Sequence, residues 1–329
     1  MNYTGLRNGD IRISEMILGC WALGGGYTWG DQQEADSVAT VHAALDLGIN
    51  CFDTAEFYGG GRSEEVLGKA LEGRRESAVI ATKVWVDNMN AEGIVRSCEG
   101  SLKRLRTDHI DLYLIHWPNR EIALEETLEA MLSLERSGKV RSVGVCNFGV
   151  GDLDDAFTVT SPVVDQLPYS LLFRAVEFEI LDACQKYEVP VLAYSALAQG
   201  LLTGKFSSAA DVDDERARIR FYSKDRPGTV HEEPGYEEHI FQVLPRIRSI
   251  CEAAGVSMAN AAILWLLQRP GVEAVLVGAR TSEQVRKNME AFNFVLPEQI
   301  VRELAEVTDP LKAVMGPNPD MWRTASRFR

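Results

Sequence analysis

The sequence predicts an α/β fold, and three observations point to it. The 329 residues contain eight short apolar segments of strand character, amphipathic helical segments lie between them, and no linker or low-complexity tract interrupts the alternation. Such a series predicts a parallel sheet with right-handed crossovers. Because eight strands close a barrel, we expect a single (β/α)8 TIM barrel domain over residues 1–329, with an open doubly wound sheet as the alternative.

The strands are expected in short apolar runs, and a hairpin precedes them. Residues 3–14 should form a hairpin that turns at Asn8-Gly9-Asp10, since Asn-Gly favours tight hairpin turns, and should close the bottom of the barrel. The barrel strands are predicted at Met16–Gly19, Asn50–Asp53, Val79–Lys83, Ile110–His116, Ser142–Asn147, Val163–Leu167, Val189–Tyr194 and Ala274–Gly278.

The segments between the strands place apolar residues three and four positions apart, which is the spacing of one helix face. Gly48 and Gly138 follow two of these patterns, as expected at helix ends. After the seventh strand we expect a long polar loop over residues 198–235. A C-terminal helix is predicted at Pro297–Val307, with an irregular tail to residue 329.

The composition argues against several classes of protein. The chain has 34 Lys and Arg against 48 Asp and Glu, a net charge of −14, so it should repel nucleic acids. No stretch of about 18 uncharged apolar residues predicts a membrane span, and the first residues lack a signal-peptide pattern. The six cysteines stand singly, which predicts no metal site, no disulfide framework and reduced thiols in a cytoplasmic protein.

Polar side chains end three consecutive predicted strands, where catalytic residues of such barrels lie. Asp53 ends the second strand and is followed by Tyr58, Lys83 ends the third, and His116 ends the fourth. Each residue by itself has an ordinary structural explanation, but together they suit proton transfer. A tyrosine hydroxyl, with an ordinary pKa of about 10, becomes a usable acid when an ammonium stabilises its phenolate. No side chain supplies a hydride, so a nicotinamide cofactor would complete the chemistry.

Six blocks of sequence, in order and spread over nearly the whole chain, reinforce this hypothesis. They are Asn50–Leu71, Ala81–Lys83, Asp111–Pro118, Gly144–Phe148, Ala193–Lys205 and Gly278–Gln284. Together they resemble the aldo-keto reductase superfamily, and in particular its bacterial branch related to the β subunits of voltage-gated potassium channels. Several blocks at consistent spacing are far more specific than one short motif.

The resemblance implies a role for each candidate residue. Tyr58 would be the general acid and base, tuned by Lys83 and Asp53, and His116 would orient the substrate. The residues that would bind the cofactor are Asn147 and Gln166 at the carboxamide, Tyr194 at the ring, Ser195, Leu197 and Gln199 at the pyrophosphate, and Gly278, Arg280, Gln284 and Asn288 at the adenosine end. Because a guanidinium matches phosphate geometry, Arg280 favours NADPH over NADH.

The chain departs from the family pattern at three positions. Cys146 stands where serine is usual, Ala196 stands where proline is usual, and Lys287 stands where a carboxylate often meets the adenine. These changes weaken one hydrogen bond, loosen one loop and remove one adenine contact, respectively. None of them affects the proposed proton donor.

Aromatic residues follow several strand ends and predict the substrate pocket. Trp21, Trp85 and Trp117, together with Trp29, should surround the carbonyl substrate. The tail is basic, and we expect it to fold over the site so that Arg323 contacts an anionic or polyhydroxylated substrate. A solvated tail is the alternative.

The sequence therefore predicts NADPH-dependent, reversible reduction of an aldehyde, ketone or sugar-derived carbonyl. The alternative is a redox-sensing regulatory subunit that binds the cofactor with negligible turnover. A barrel isomerase that uses Lys83 as a Schiff base does not explain the block Gly278–Gln284, and neither a GxGxxG nor a Walker motif is present. We expect a small carbonyl compound as partner, and leave a homo-oligomer open.

Overall fold

The computed structural model describes residues 1–6, 11–26 and 29–329. Within them, eight parallel strands form a closed barrel in which neighbours follow chain order and the last strand pairs with the first. The predicted barrel is therefore confirmed, and the open-sheet alternative is wrong. The barrel strands are β3 (Met16–Gly19), β4 (Cys51–Asp53), β5 (Val79–Val84), β6 (Ile110–Ile115), β7 (Val140–Cys146), β8 (Asp165–Pro168), β9 (Val191–Tyr194) and β10 (Val272–Gly278).

A two-stranded hairpin lies at the amino ends of these strands. It pairs β1 (Tyr3–Gly5) with β2 (Arg12–Ser14) in antiparallel register. The hydroxyl of Thr4 donates to Glu273 at 2.7 Å, and the backbone N–H of Ser14 donates to the Asn50 side chain at 2.7 Å. The hairpin thus closes the bottom of the barrel as predicted, while its expected turn, Asn8-Gly9-Asp10, lies outside the described residues.

Helices surround the barrel, and most of them bury one apolar face, whereas the helix Met258–Leu267 is buried on nearly all sides. Gly48 and Gly138 follow the first and fourth helices with φ values of 88° and 79°, so the left-handed ends predicted there are present. The helices are α1 (Glu34–Asp46), α2 (Arg62–Ala70), α3 (Ala91–Leu105), α4 (Leu124–Arg136), α5 (Val150–Ala156), α6 (Ile180–Lys186), α7 (Glu237–Ala253), α8 (Met258–Leu267), α9 (Ser282–Met289) and α10 (Glu298–Met315).

The last helix is longer than predicted. The sequence places its end at Val307, but α10 continues through Pro310 to Met315. Leu311 and Met315 are buried on the same apolar face as Leu304, so packing outweighs the hydrogen bond lost at the proline. The tail predicted to begin after Val307 therefore begins after Met315.

In residues 1–6, 11–26 and 29–329, no single helix is long and apolar enough to span a membrane. Among the described helices, α7 and α8 taken together reach that length and composition, and the chain bends by 87° between them.

Candidate active site

A cavity of 1090 Å³ opens at the carboxyl ends of the barrel strands. Its lining includes residues at or just beyond the ends of the strands, such as Asp53, His116, Asn147 and Tyr194. Loops bring in further residues from far along the chain. The side of the barrel opposite the hairpin is therefore the candidate active site, as the fold predicts.

Lys83 lies at the centre of the candidate proton-transfer group and is fully buried. Asp53 pairs with Ala81 on the neighbouring strand, and Lys83 lies two residues beyond Ala81. Because side chains alternate along a strand, the side chain of Lys83 points to the same face as that of Ala81. Lys83 Nζ donates to the Asp53 carboxylate at 2.8 Å and to the Thr54 carbonyl at 2.8 Å. It also lies 3.4 Å from the hydroxyl of Tyr58.

The position of Tyr58 depends on the glycines that follow it. Gly59, Gly60 and Gly61 have φ values of 60°, 63° and 94°, a left-handed run that residues with side chains rarely adopt. This tight turn returns the chain into α2 at Arg62 and leaves the Tyr58 ring with Lys83 Nζ 5.0 Å from its centre. The three consecutive glycines therefore serve the site by allowing this turn.

The protonation states follow from burial and from the neighbouring charges. Burial raises the pKa of Tyr58, and Lys83 opposes this only in part, so the phenol stays protonated. Burial lowers the pKa of Lys83, but Asp53 and Tyr58 outweigh it and the net direction is upward. Burial, assisted by Lys83 and Arg327, lowers the pKa of His116 well below its ordinary value. At neutral pH the site thus holds a phenol, an ammonium and a neutral imidazole.

The sequence predicts that the ammonium of Lys83 stabilises the phenolate of Tyr58, and Lys83 does act on the pKa in that direction. The structure places the phenol where desolvation has the larger effect. The ring remains partly exposed toward the cavity, so it is accessible to a ligand there.

Aromatic rings surround the reactive groups. Trp21 stacks on Tyr58 at 5.6 Å, and Trp85 meets the edge of His116 at 5.2 Å. The predicted substrate residues Trp21, Trp85 and Trp117 all line the cavity, as does Trp29. Phe57, which stacks on Trp85 at 3.8 Å, was missed in the sequence because a loop carries no periodicity that marks its inward-facing residues.

A buried amide network joins the proton-transfer group to the neighbouring strands. Gln166 Nε2 donates to Asp53 at 2.7 Å. Asn147 Nδ2 donates to the His116 carbonyl at 2.9 Å, and Asn147 Oδ1 accepts from the Tyr194 hydroxyl at 2.8 Å. Asn147 has a φ of 64°, an uncommon conformation that places its side chain at the mouth of β7.

Cys146, where serine was expected, lies in the same network. Its thiol is 3.7 Å from Gln166 Oε1 and 3.1 Å from Asn147 Nδ2. Burial raises the pKa of the thiol, so it is protonated. The weaker hydrogen bond anticipated from the sequence is thus made to Gln166.

The remaining candidate residues line the rest of the cavity. Ser195 and Gln199 follow β9 with φ values of 58° and 53°. Lys287, which forms an ion pair with Glu283 at 2.7 Å, also lines the cavity. All the residues predicted to bind the cofactor contribute to the lining: Asn147, Gln166, Tyr194, Ser195, Leu197, Gln199, Gly278, Arg280, Gln284 and Asn288.

The charges of this region suit an anionic ligand. Lys205, Arg216 and Arg280 line the cavity, and no carboxylate among the described residues lies within ion-pair distance of them. They make this part of the cavity positive in a protein whose net charge is −14. His116 Nδ1 is buried and has no hydrogen-bond partner within the described residues. The lining therefore fits a ligand that carries both phosphates and polar groups, such as a dinucleotide.

The C-terminal tail lies against the cavity rather than in solvent. Trp322 meets the edge of Trp21 at 6.1 Å, and the guanidinium of Arg327 stacks 3.3 Å from the centre of the Trp117 ring. The buried carboxylate of Asp320 accepts hydrogen bonds from Arg327 at 2.6 and 2.9 Å and so fixes the bend of the tail. Arg323 lines the cavity, as expected, and its contact with a substrate stays a prediction.

With this geometry established, comparison with known proteins assigns the family. Residues 15–309 match the model of the aldo/keto reductase family. The chain is 35% identical to the aldo-keto reductase YhdN of Bacillus subtilis over 94% of both chains. It is 31% identical to the NADH-specific methylglyoxal reductase of Escherichia coli, covering 91% of this chain and 97% of that one.

A solved structure agrees with these sequence relationships. An aldo-keto reductase from Klebsiella pneumoniae in complex with NADPH superposes with a TM-score of 0.73 at 29% identity, covering 94% of this chain and 96% of the other. The resemblance drawn from the sequence blocks is thereby confirmed. The chain belongs to the aldo/keto reductase family of oxidoreductases.

Proposed function

We propose that this protein reduces small aldehydes, ketones or sugar-derived carbonyls with NADPH. The observation that carries the proposal is the position of Lys83 Nζ, 2.8 Å from the Asp53 carboxylate and 3.4 Å from the Tyr58 hydroxyl, beside a neutral His116. In this arrangement the Tyr58 hydroxyl can donate its proton to a substrate bound in the cavity, which is lined by aromatic side chains. A bound nicotinamide supplies the hydride.

Tyr58 acts as the general acid in this proposal. Its O–H donates to the carbonyl oxygen of the substrate as negative charge develops there, which leaves a phenolate. The ammonium of Lys83 stabilises that phenolate, and Asp53 holds the ammonium in place and keeps it charged. In the reverse direction the phenolate accepts the proton of an alcohol.

His116 orients the substrate because its neutral ring can donate one hydrogen bond to the carbonyl oxygen. Trp21, Trp85 and Trp117 exclude water from that oxygen and strengthen each polar contact in the cavity. Arg323 lies in the lining without a carboxylate partner among the described residues, so it would favour a substrate with an anionic or hydroxylated end.

The residues that would hold the cofactor continue from this centre. Asn147 and Gln166 present amides to the carboxamide, and Tyr194 presents its ring to the nicotinamide. Arg280 supplies the positive charge that a 2′-phosphate requires, which supports NADPH as the preferred form. A single domain, a cytoplasmic location and a homo-oligomeric state stay predictions.

The proposal is tested by titrating the purified protein with NADPH and NADH, following the quenching of tryptophan fluorescence. Aldehydes, ketones and aldoses are then added, and loss of cofactor absorbance is measured. We expect NADPH to bind more tightly than NADH, and turnover to fall sharply in Tyr58→Phe. Tight binding without turnover of any carbonyl would instead support a regulatory subunit, and binding of neither cofactor would refute the proposal.

A further inference from the structure

Gln32, which precedes α1, forms hydrogen bonds with Arg280, 248 positions away in the chain. Arg280 Nε donates to Gln32 Oε1 at 2.8 Å, and Gln32 Nε2 donates to the Arg280 carbonyl at 2.9 Å. Arg280 Nη2 also donates a hydrogen bond to the backbone carbonyl of Asp31. These contacts join the loop after β3 to the turn between β10 and α9.

These bonds leave the charge of Arg280 available. A guanidinium has five N–H groups, and the contacts to Gln32 and Asp31 use two of them. Both acceptors are neutral, so they fix the plane of the guanidinium without cancelling its charge. The other three N–H groups remain on a side chain that lines the cavity. A fixed, uncompensated guanidinium is well suited to bind phosphate.

The described residues of the loop that carries Gln32 are closely packed. The N–H of Gly30 donates to the carbonyl of Gly26 at 2.7 Å. Gly25 adopts a φ of 63°, and a β-carbon at this position would lie 3.3 Å from that of Gln32. The close packing of Gly25 against Gln32 therefore helps to hold the Gln32 side chain beside Arg280.

We propose that Gln32 is a positioning residue for the cofactor: it orients Arg280 toward the 2′-phosphate and ties two loops together beside the adenosine end of the cavity. This inference rests on the proposed function, because it requires a dinucleotide in the cavity. It predicts that Gln32 contributes to the preference for NADPH and slows the dissociation of NADPH.

Two substitutions separate these effects. Gln32→Glu places a carboxylate against Arg280 and neutralises it, so the Kd for NADPH should rise about tenfold or more while that for NADH changes less than about twofold. Gln32→Ala only frees the guanidinium, so NADPH should dissociate about three- to tenfold faster. Gln33→Ala is the matched control, because Gln33 is exposed, caps no helix with its side chain and should leave both constants unchanged.

The measurements are fluorescence titration for Kd and stopped-flow displacement for the dissociation rate, with thermal melting of each variant to verify folding. In an Arg280→Met background, Gln32→Glu should have no further effect on NADPH binding. A full effect in that background would overturn the inference, as would equal weakening of NADPH and NADH or unchanged binding in both Gln32 variants. Wild-type protein that binds no dinucleotide would instead refute the proposed function. Tight wild-type binding with unaffected Gln32 variants would refute only the inference.

Discussion

Replacement of Lys83 by methionine removes the charge at the centre of the site while nearly preserving its volume. Asp53 is only 3% exposed, and without the ammonium its carboxylate keeps Gln166 as its side-chain donor. Leaving one charge of a buried pair without its partner costs about 3–5 kcal/mol. We therefore expect Lys83→Met to lower the free energy of unfolding by that amount.

The double variant Asp53→Asn, Lys83→Met supplies the test of this explanation. Removing both charges avoids the uncompensated carboxylate, so most of the lost stability should return and the coupling energy should exceed about 2 kcal/mol. Urea unfolding followed by circular dichroism at pH 7 measures each value. Lys103→Met, at an exposed position of α3, is the control and should change stability by less than about 0.5 kcal/mol.

Two results would refute this reasoning. One is a Lys83→Met variant as stable as the control. The other is a double variant destabilised by the sum of the two single changes, because additivity means that the charges do not interact.

Three further predictions concern protonation and the tail. Since burial holds the pKa of His116 below its ordinary value, protonation opposes folding, and the melting temperature should fall as the pH drops below about 6.5, less steeply in His116→Asn. Burial and the nearby Asp152 raise the pKa of Asp165, so its contribution to stability is lost as the pH rises, and Asp165→Asn should raise the melting temperature more at pH 7 than at pH 5. An equal change at both pH values would contradict that assignment. Asp320→Asn loosens the bend of the tail, so the KM for a carbonyl substrate should rise about fivefold or more while the Kd for NADPH stays constant in titration; an unchanged KM would show that the tail does not shape the pocket.

The barrel could be predicted from the sequence because most strands are short apolar runs that are buried in the fold. The exception is β8, which reads Asp-Gln-Leu-Pro and is located by the buried Val163 and Val164 just before it. Each of the eight predicted segments overlaps an observed strand. The end of α10 differs from the prediction because Leu311 and Met315, beyond Pro310, are buried and extend the helix. That burial depends on the tertiary structure, which local sequence patterns do not report.

The candidate site was predictable where it lies at strand ends. Asp53, Lys83 and His116 lie at or next to the carboxyl ends of consecutive strands, so parallel topology brings their side chains together. The contacts of Gln32 and the cavity position of Arg216 were not predicted, because both lie in loops whose partners are distant in the chain. The direction of the Tyr58 pKa shift also required the structure, since it depends on the extent of burial.

The most direct test of the central claim is a single-turnover reduction with NADPH deuterated at C4, using each of the two stereoisotopomers. We expect deuterium from one of them to appear on the carbinol carbon of the alcohol. We also expect Tyr58→Phe to bind NADPH normally but to form the alcohol about 10²–10⁴ times more slowly. Alcohol without deuterium from either isotopomer, or an unchanged rate in Tyr58→Phe, would contradict hydride transfer assisted by Tyr58.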